Sequence, residues 1–522
     1  MKKSTVEPAC TGLFSPLFLD YLGQKEATAS LYTVYPSLQN FRQLMDTRKF
    51  DSKNRAVLVE VLAEQYQGLE NKAAVNENIE LLAKEGTFTV TTGHQLNLMT
   101  GPLYFIYKIV STINLAKKLR QEYPDRKIVP VYWMASEDHD FEEINHFLFD
   151  GKKYTWETDQ KGAVGEFEMD NGLKQLLADM PFVPDFFRQA YRESANLADA
   201  VRNYVHFLFG EEGLVVVDAN DPRLKALFAP IIKDDMLNQR ANTLVQEQNG
   251  KLEKLGYKPQ VFPREINFFY LKEGLRERIV YQEGSYQVMN TGITWTEVEL
   301  LEELNHFPGR FSPNVVMRPL YQECILPNVA YLGGPAEVVY WFQLTLVFEH
   351  YEVDYPAVMP RNFVMIVPKV IHRKVNKLGL SAADIFKPID QLRITYTLDH
   401  AESDLSLGEE RQVWENLLDQ IASKAIKSDP TIGSAANAAK VRGLKILEQL
   451  AKKLRKAEEV KHSTAIRQLR DIKEGLFPGG VPQERKLNFL NFYLENPNFI
   501  QELLQQLDPL DFNVIVLEAD EN

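Results

Sequence analysis

The sequence predicts an α/β protein built on an open parallel sheet, with inserted segments and a helical arm. Two apolar strand candidates, in TFTVTTGHQ and KIVPVYWMA, flank a helical stretch, LYFIYKIVSTINLAKKL, the order of a strand-helix-strand unit. The run IVPVYWMA is apolar on both alternating faces, as a strand covered by helices on both sides should be. Both strands end in polar clusters, Gly93-His94-Gln95 and Ser136-Glu137-Asp138-His139-Asp140. Ligands of open parallel sheets collect where strands reach their carboxyl edge, so one cavity shared by the two clusters is expected. That is an enzyme's layout more than a scaffold's.

The first 85 residues read as helical, with apolar positions at helical spacing in VLVEVLAEQYQGL, and wrap the core up to Gly86. A strand over 86–92 leads through a loop to Gly101. Pro102 then opens a helix, a position where the missing N–H forfeits no intrahelical bond. Residues 150–210 read as an insertion, with a hairpin at GKKYTWETD and a helix at LADAVRNYVHFLF. LVVVDAN (214–220) resumes the core, and Asp221-Pro222 starts its helix. Alternation in FFYLKEGLRERIVYQEGSYQV marks a second, antiparallel insertion within 240–310. VAYLGGPAEVVYWFQLTLVFEHY gives a strand, a Gly-Gly-Pro turn and a helix, and DYPAVMP and NFVMIVP supply further strands.

The pattern changes near 385. Helices over 409–427 and 433–474, separated by KSDPTIGS, form an antiparallel hairpin. Leu447, Leu450, Leu454 and Ala457 step by three and four as a coiled-coil seam, interrupted at Lys461. After LFPGGVPQERKLNFLNFYL, a loop and helix, FNVIVLE reads as a strand returning to the main body. The expected division is a core over 1–385, an arm over 386–475 and a returning segment over 476–522.

Composition narrows the function. A chain of 522 residues can bury a large core. A net charge of -13 and a pI near 5.4 argue against the extended basic surface that nucleic acid demands, while a local pocket for a nucleotide stays compatible. The N-terminus carries no signal-peptide pattern and no stretch is apolar enough to cross a membrane, so a cytoplasmic protein is expected. Cys10 and Cys324 are too few for a disulfide framework or a cysteine-based zinc site. No GxGxxG, Walker A, HExxH, nucleophile elbow or paired CxxC occurs.

The residues that remain define the candidate chemistry. Gly93 frees space for a ligand near the backbone, and His94 can stabilise charge on a phosphate; the bland alternative is a turn glycine beside a surface histidine. Glu137, Asp138, His139 and Asp140 can hold an ammonium, orient a base or bind a cation, or can cap a helix whose first turn carries Glu142 and Glu143. Downstream, Arg318 and Gln322 are polar among apolar neighbours. Gly333-Gly334-Pro335 makes a sharp turn before Glu337, and Arg361 is a further anion-binding candidate.

With those residues in view, the chain resembles the bacillithiol-biosynthesis cysteine-adding enzymes, a family of cysteine ligases. The resemblance rests on TTGHQLNLMTGPLYFIYK, VPVYWMASEDHDFEEINH and RPLYQECILPNVAYLGGPAEVVYW, and on the order of parts over nearly the full length. It implies a Rossmann-like core related to class I aminoacyl-tRNA synthetases and other nucleotidyltransferases, with inserts and a coiled-coil arm that forms a homodimer. It also implies the last step of bacillithiol synthesis, joining cysteine to glucosaminyl-malate. Gly93-His94 is similar to the superfamily's phosphate loop, although the usual second histidine and a KMSKS-like lysine loop are absent.

The resemblance further implies a nucleotide, ATP or ADP, near the arm, for which 477–486 (FPGGVPQERK) is the candidate. The roles that follow place His94 and nearby backbone amides on the activating phosphates, Gly93 and Gln95 at the substrate, and Asp138, His139 or Asp140 at the amine, its proton or a metal ion. Glu137, Gln322, Gly333 and Gly334 line the substrate site, Arg318 and Arg361 take the malate carboxylates, and Glu337 takes a sugar hydroxyl or ammonium. The metal requirement is left open. Two other classes stand beside the ligase: a metal-dependent hydrolase using His94, Asp138, His139 and Asp140, and a noncatalytic assembly protein working through its arm.

Overall fold

A computed structural model describes residues 1–402 and 404–519. The chain forms two compact units. The larger takes Leu13–Val364 and Gln483–Ile515, and the smaller takes Met1–Gly12, Met365–Pro482 and Val516–Asn522.

The larger unit is built on β1 (Thr87–His94), α1 (Tyr104–Glu122) and β2 (Lys127–Met134), followed by β3 (Val215–Asp218). Further on come α2 (Arg318–Ile325), β4 (Asn328–Gly333), α3 (Pro335–Trp341) and β5 (Ala357–Pro360). The five strands form one sheet in the order β5-β4-β1-β2-β3, every pair parallel. The chain therefore steps outward from β1 to β3, then returns to the other side of β1 for β4 and β5. That reversal is a Rossmann-like topology with its switch point between β1 and β4.

β1 holds four threonines, with Thr87, Thr89 and Thr91 on one face and Thr92 on the other, and all four are buried. Three find partners: Thr89 and Thr91 donate to Asn328 Oδ1 at 3.1 and 2.8 Å, and Thr92 donates to the Leu332 carbonyl at 2.8 Å. Buried hydroxyls need such acceptors, and here they also tie β1 to β4. Val90, Ile128, Val329 and Leu332 pack with Leu115 and Leu119 of α1 and with Phe41, Leu44 and Met45 of the N-terminal helical segment. Part of the N-terminal segment thus covers the sheet.

Three local departures matter. β1 runs on through Gly93 and His94, which pair with Trp133 and Met134, instead of stopping at 92. The helix starts at Tyr104 and not at Pro102, because the 95–101 loop closes as a tight turn over Leu98–Thr100. Lys2–Val6 is a strand inside the segment read as wholly helical.

The first insertion contains the hairpin His146–Phe149 with Lys152–Thr155 and helices including Leu197–Phe209. The second carries a five-stranded antiparallel sheet ordered Thr294–Trp295, Ser285–Val288, Leu275–Gln282, Phe268–Lys272 and Phe311–Pro313.

NFVMIVP and FNVIVLE do not join the core sheet. Phe363–Val367 and Val514–Glu518 form a separate three-stranded sheet with Lys2–Val6, the late strand in the middle. This moves the division from near 385 to 364/365. The arm consists of α4 (Gly408–Ser428) and α5 (Pro430–Lys461), with α6 (Ser463–Leu476) following a break at His462. α4 and α5 pack as the expected antiparallel hairpin: Lys440 bonds Asp419 at 2.8 Å, and Trp414 Nε1 donates to the Lys440 carbonyl at 3.3 Å.

The seam differs from the expected one. Glycines bring the helices together, a Cβ at Gly433 overlapping Ile426 and one at Gly443 overlapping Trp414, whereas Leu450 and Leu454 are 45% and 43% exposed. Side chains stepping by three and four mark a face, but do not say whether the intramolecular partner or another surface covers it. Among the described residues no helix is long and apolar enough to cross a membrane.

Candidate active site

The sheet topology selects the carboxyl edge of β1 and β4 as the ligand crevice. β1 ends in Gly93-His94, and β4 ends in Gly333 before α3. Between them sits Lys108, on an α1 that is buried over most of its length. Its side chain is 1% exposed, and its ammonium donates to the Gly93 carbonyl at 2.6 Å and to the Glu337 carboxylate at 2.7 and 2.8 Å. Glu337 also accepts from the Gly334 N–H at 3.0 Å and the Tyr331 hydroxyl at 2.8 Å. Burial pushes the Glu337 carboxyl up, but the Lys108 charge and these hydrogen bonds outweigh it and hold the group ionised. Burial in turn lowers Lys108, opposed by Glu337.

Arg318 completes this side. Its Nη1 donates to Gln322 Oε1 at 3.0 Å, its Nη2 to the Tyr340 hydroxyl at 3.3 Å, and its guanidinium lies 5.5 Å from the Tyr331 ring centre. A methyl group added at Gly93 would lie 3.4 Å from the Tyr331 hydroxyl and 3.5 Å from Arg318 Nη1. The missing side chain therefore keeps the space in front of Arg318 open, and a fork of N–H donors there suits a carboxylate or phosphate.

His94, partly exposed, sits 5.3 Å from the Tyr104 ring and 5.2 Å from the Phe105 ring. Its apolar surroundings, aided by the Lys108 charge, push the imidazole down to about 3, so it is neutral at physiological pH. It can act as a hydrogen-bond donor in the right tautomer but not as a cation.

The second cluster lies on the same edge, after β2. Gln95 bridges the two groups, its Nε2 donating to Asp138 Oδ2 at 3.1 Å and to Glu143 Oε2 at 2.7 Å. The Asp138 Oδ1 accepts the His139 N–H at 2.7 Å, and Arg276 Nη1 lies 3.6 Å away. Burial raises the Asp138 carboxyl, but the bonds from His139 and Gln95 and the Arg276 charge win and hold it well below the usual range. A carboxylate so stabilised is a weak base, and its natural task is to hold or orient a cation. Arg276 also lies 2.6 Å from His139 Nδ1 and stacks 4.0 Å from the Phe269 ring centre. Glu137 turns inward to buried Lys225 at 3.2 Å. His139 and Asp140 are exposed, and Asp140 makes no side-chain capping bond.

Two assignments change outright. Arg361 is 2% exposed and bonds both Glu484 oxygens, at 2.9 and 2.6 Å, so its guanidinium fork is spent on an internal carboxylate instead of a substrate's. Gln322 is fully buried and holds Arg318 from behind, with its own amide donating to Glu323 at 2.9 Å. Among the described residues no three His, Cys, Asp or Glu side chains converge to hold a metal ion. The ligand set of the metal-hydrolase alternative is therefore not assembled. Sequence reasoning missed Lys108, Arg276 and Glu484. A lone lysine within the apolar stretch LYFIYKIV was the one visible signal, since a buried ammonium must have a partner.

Residues 1–362 match the family described as "Bacillithiol biosynthesis BshC, N-terminal Rossmann-like domain", and residues 364–519 match its C-terminal coiled-coil domain. The chain belongs to the BshC family of bacillithiol biosynthesis. Curated relatives bearing the name "Putative cysteine ligase BshC" include one from Cytophaga hutchinsonii, 42% identical over 501 residues with 96% of each chain covered. Others come from Flavobacterium psychrophilum, 40% identical with 96% of each chain covered, and Flavobacterium johnsoniae, 41% identical with 97% of this chain and 98% of the relative covered. The family's two parts meet at 362/364, where Phe363–Val367 leaves the core sheet.

Proposed function

We propose that this protein is a ligase that joins the carboxyl carbon of cysteine to the amine of glucosaminyl-malate, forming an amide in the last step of bacillithiol synthesis. A free carboxylate is a poor acylating agent, so ATP activates it, through an acyl phosphate or an adenylate. The supporting observation is the arrangement at the β1/β4 switch point, where Arg318 faces a space left open by Gly93 beside neutral His94 and ionised Glu337. Arg318 takes a malate carboxylate, and His94 with the Gly93 backbone takes the activating phosphates. Glu337, whose side chain is 28% exposed, takes a sugar hydroxyl or the amine. Asp138 orients an ammonium from the neighbouring strand end.

Incubating the pure protein with ATP, labelled cysteine and glucosaminyl-malate, followed by mass spectrometry, tests the reading. The expected products are the amide with AMP or ADP, and the nucleotide formed identifies the activation route. Failure to form the amide with all three substrates present refutes it. The arm completes a homodimer in this reading, supported by the exposed apolar side chains Val413, Leu417 and Ile421 of α4 and Leu450 and Leu454 of α5. Leu450→Lys with Leu454→Lys should then give a monomer by sedimentation, and an unchanged sedimentation coefficient argues against that interface.

A further inference from the structure

We propose that Asn97 is a positioning residue that locks His94 in the tautomer protonated at Nδ1, so that a neutral imidazole offers one N–H donor to an anionic oxygen of the bound substrate. The functional half of this inference rests on the ligase reading above. The positioning half stands on the geometry alone.

Asn97 is 6% exposed, and its side-chain Nδ2 lies 3.0 Å from His94 Nε2. The same Nδ2 lies 3.5 Å from the Gln95 carbonyl. Turning the amide over would set its oxygen against that carbonyl, two acceptors face to face, so the nitrogen is the atom that belongs there. An N–H pointing at Nε2 requires a lone pair on that ring atom. The proton of the neutral ring then resides on Nδ1, and His94 makes no other side-chain hydrogen bond among the described residues.

The groups around the ring favour the same neutral form. Tyr104 and Phe105 of α1 cover it, Lys108 of α1 and Arg361 after β5 oppose a positive charge, and Glu337 of α3 favours one but is already neutralised by Lys108.

The loop that carries Asn97 is held against its own backbone preference. Met99 and Thr100 have φ of 49° and 71°, left-handed values that a β-branched threonine adopts rarely. A Cβ at Gly101, where φ is 62°, would overlap the Asn97 side chain. Four bonds fix this conformation: the Tyr204 hydroxyl donates to the Asn97 carbonyl at 2.8 Å, the Met99 N–H donates to Tyr191 at 2.9 Å, and Asn488 donates to the carbonyls of Met99 and Gly101 at 2.7 and 2.8 Å. Three separate side chains thus converge on a strained turn, and the residue that turn delivers to the site is Asn97.

Histidine-selective nitrogen-15 NMR of the full-length protein tests the positioning half directly. The wild type should show His94 protonated at Nδ1 and bare at Nε2, without charging above pH 5. Asn97→Asp replaces the donor with an acceptor, so the proton should move to Nε2 and the ring should titrate at higher pH. The same tautomer in N97D as in the wild type, or a wild-type ring protonated at Nε2, would overturn the proposal. Should N97D not fold, Asn97→Ala serves: both tautomers should become populated, and a single unchanged tautomer overturns the claim.

In the ligation assay, N97D should lower kcat by about 100-fold, the size expected when one charge-stabilising donor is lost, with little change in KM for cysteine. An inverted tautomer with unchanged kcat refutes the functional half. If the wild type itself makes no amide, the ligase reading has failed while the NMR result still decides the role of Asn97.

Discussion

Lys108→Met removes the cation that joins β1 to α3 and offers the sharpest test of how the site is held. The wild-type ammonium is buried and has three close partners, the Gly93 carbonyl and both Glu337 oxygens. Methionine fills a similar volume, so packing loss is small and the effect is electrostatic. Stripping one member from a buried ion pair costs about 3–5 kcal/mol, because the remaining charge is left without compensation. Glu337 still accepts bonds from Gly334 and Tyr331 and keeps 28% exposure, which places the expected loss near the lower end, about 3 kcal/mol.

Adding Glu337→Gln to K108M removes the orphaned charge and should recover about 1–2 kcal/mol, leaving the unpaired Gly93 carbonyl as the residual cost. Urea denaturation followed by intrinsic fluorescence reads both values. The loss should also depend on pH. Glu337 has a depressed folded-state pKa, so its contribution is present above the ordinary carboxylate range and fades as pH falls, and K108M should approach the wild type in acid. A K108M loss below about 1 kcal/mol at pH 7, or no recovery in the double variant, would refute this account of the site.

Gly93→Ala should fold normally, since the added methyl meets only ordinary contacts, yet bind a substrate anion about tenfold more weakly by calorimetry, a change of about 1.4 kcal/mol. Unchanged affinity would mean that the space before Arg318 is not the ligand's. His94 has its pKa lowered from 6.5 to about 3, so its stabilising contribution is complete above 6.5 and is lost as pH falls below that value. His94→Gln should flatten the stability profile between pH 6.5 and 3, and an identical profile would contradict the neutral imidazole. Arg276→Met should raise the Asp138 pKa toward the ordinary range, read by carbon-13 NMR of the carboxyl, and an unmoved titration would assign its depression to the His139 and Gln95 bonds alone.

Much of this architecture was legible because apolar runs and helical spacing are local properties. β1, α1, β2 and β3 follow from TFTVTT, LYFIYKIV, IVPVYWM and LVVVD, and both insertions follow from their change of period. Strand order is not local. Nothing in the spacing says that β4 inserts beside β1 while β3 sits at the far edge, so the sequence pairs Gly93-His94 with the Glu137–Asp140 quartet. The topology sets β1 between β2 and β4, so Gly93-His94 keeps the quartet's strand as a direct neighbour, with His94 paired to Met134, and gains Gly333 and Glu337 on its other side. Partners distant along the chain were equally hidden. Arg361 reads as a free anion receptor until Glu484 is found on it, and Arg276 reads as one charge in an alternating strand until it meets Asp138. In the arm the stepping of Leu450 and Leu454 did not say what covers them: both are exposed, and the hairpin closes where Gly433 meets Ile426 and Gly443 meets Trp414.

The three-stranded sheet that begins with Lys2–Val6 sets a timetable for biosynthesis. Its middle strand, Val514–Glu518, lies between Lys2–Val6 and Phe363–Val367, so the earliest strand to leave the ribosome finds no neighbour until the latest has been translated. During that interval two strand edges stand uncovered, with unpaired N–H and C=O groups that can template association with another nascent chain. A ribosome stalled before Val514 would release a polypeptide with a complete five-stranded parallel sheet and an open wound in its companion. Quality control could recognise such a product by that exposed edge while its parallel sheet was already folded.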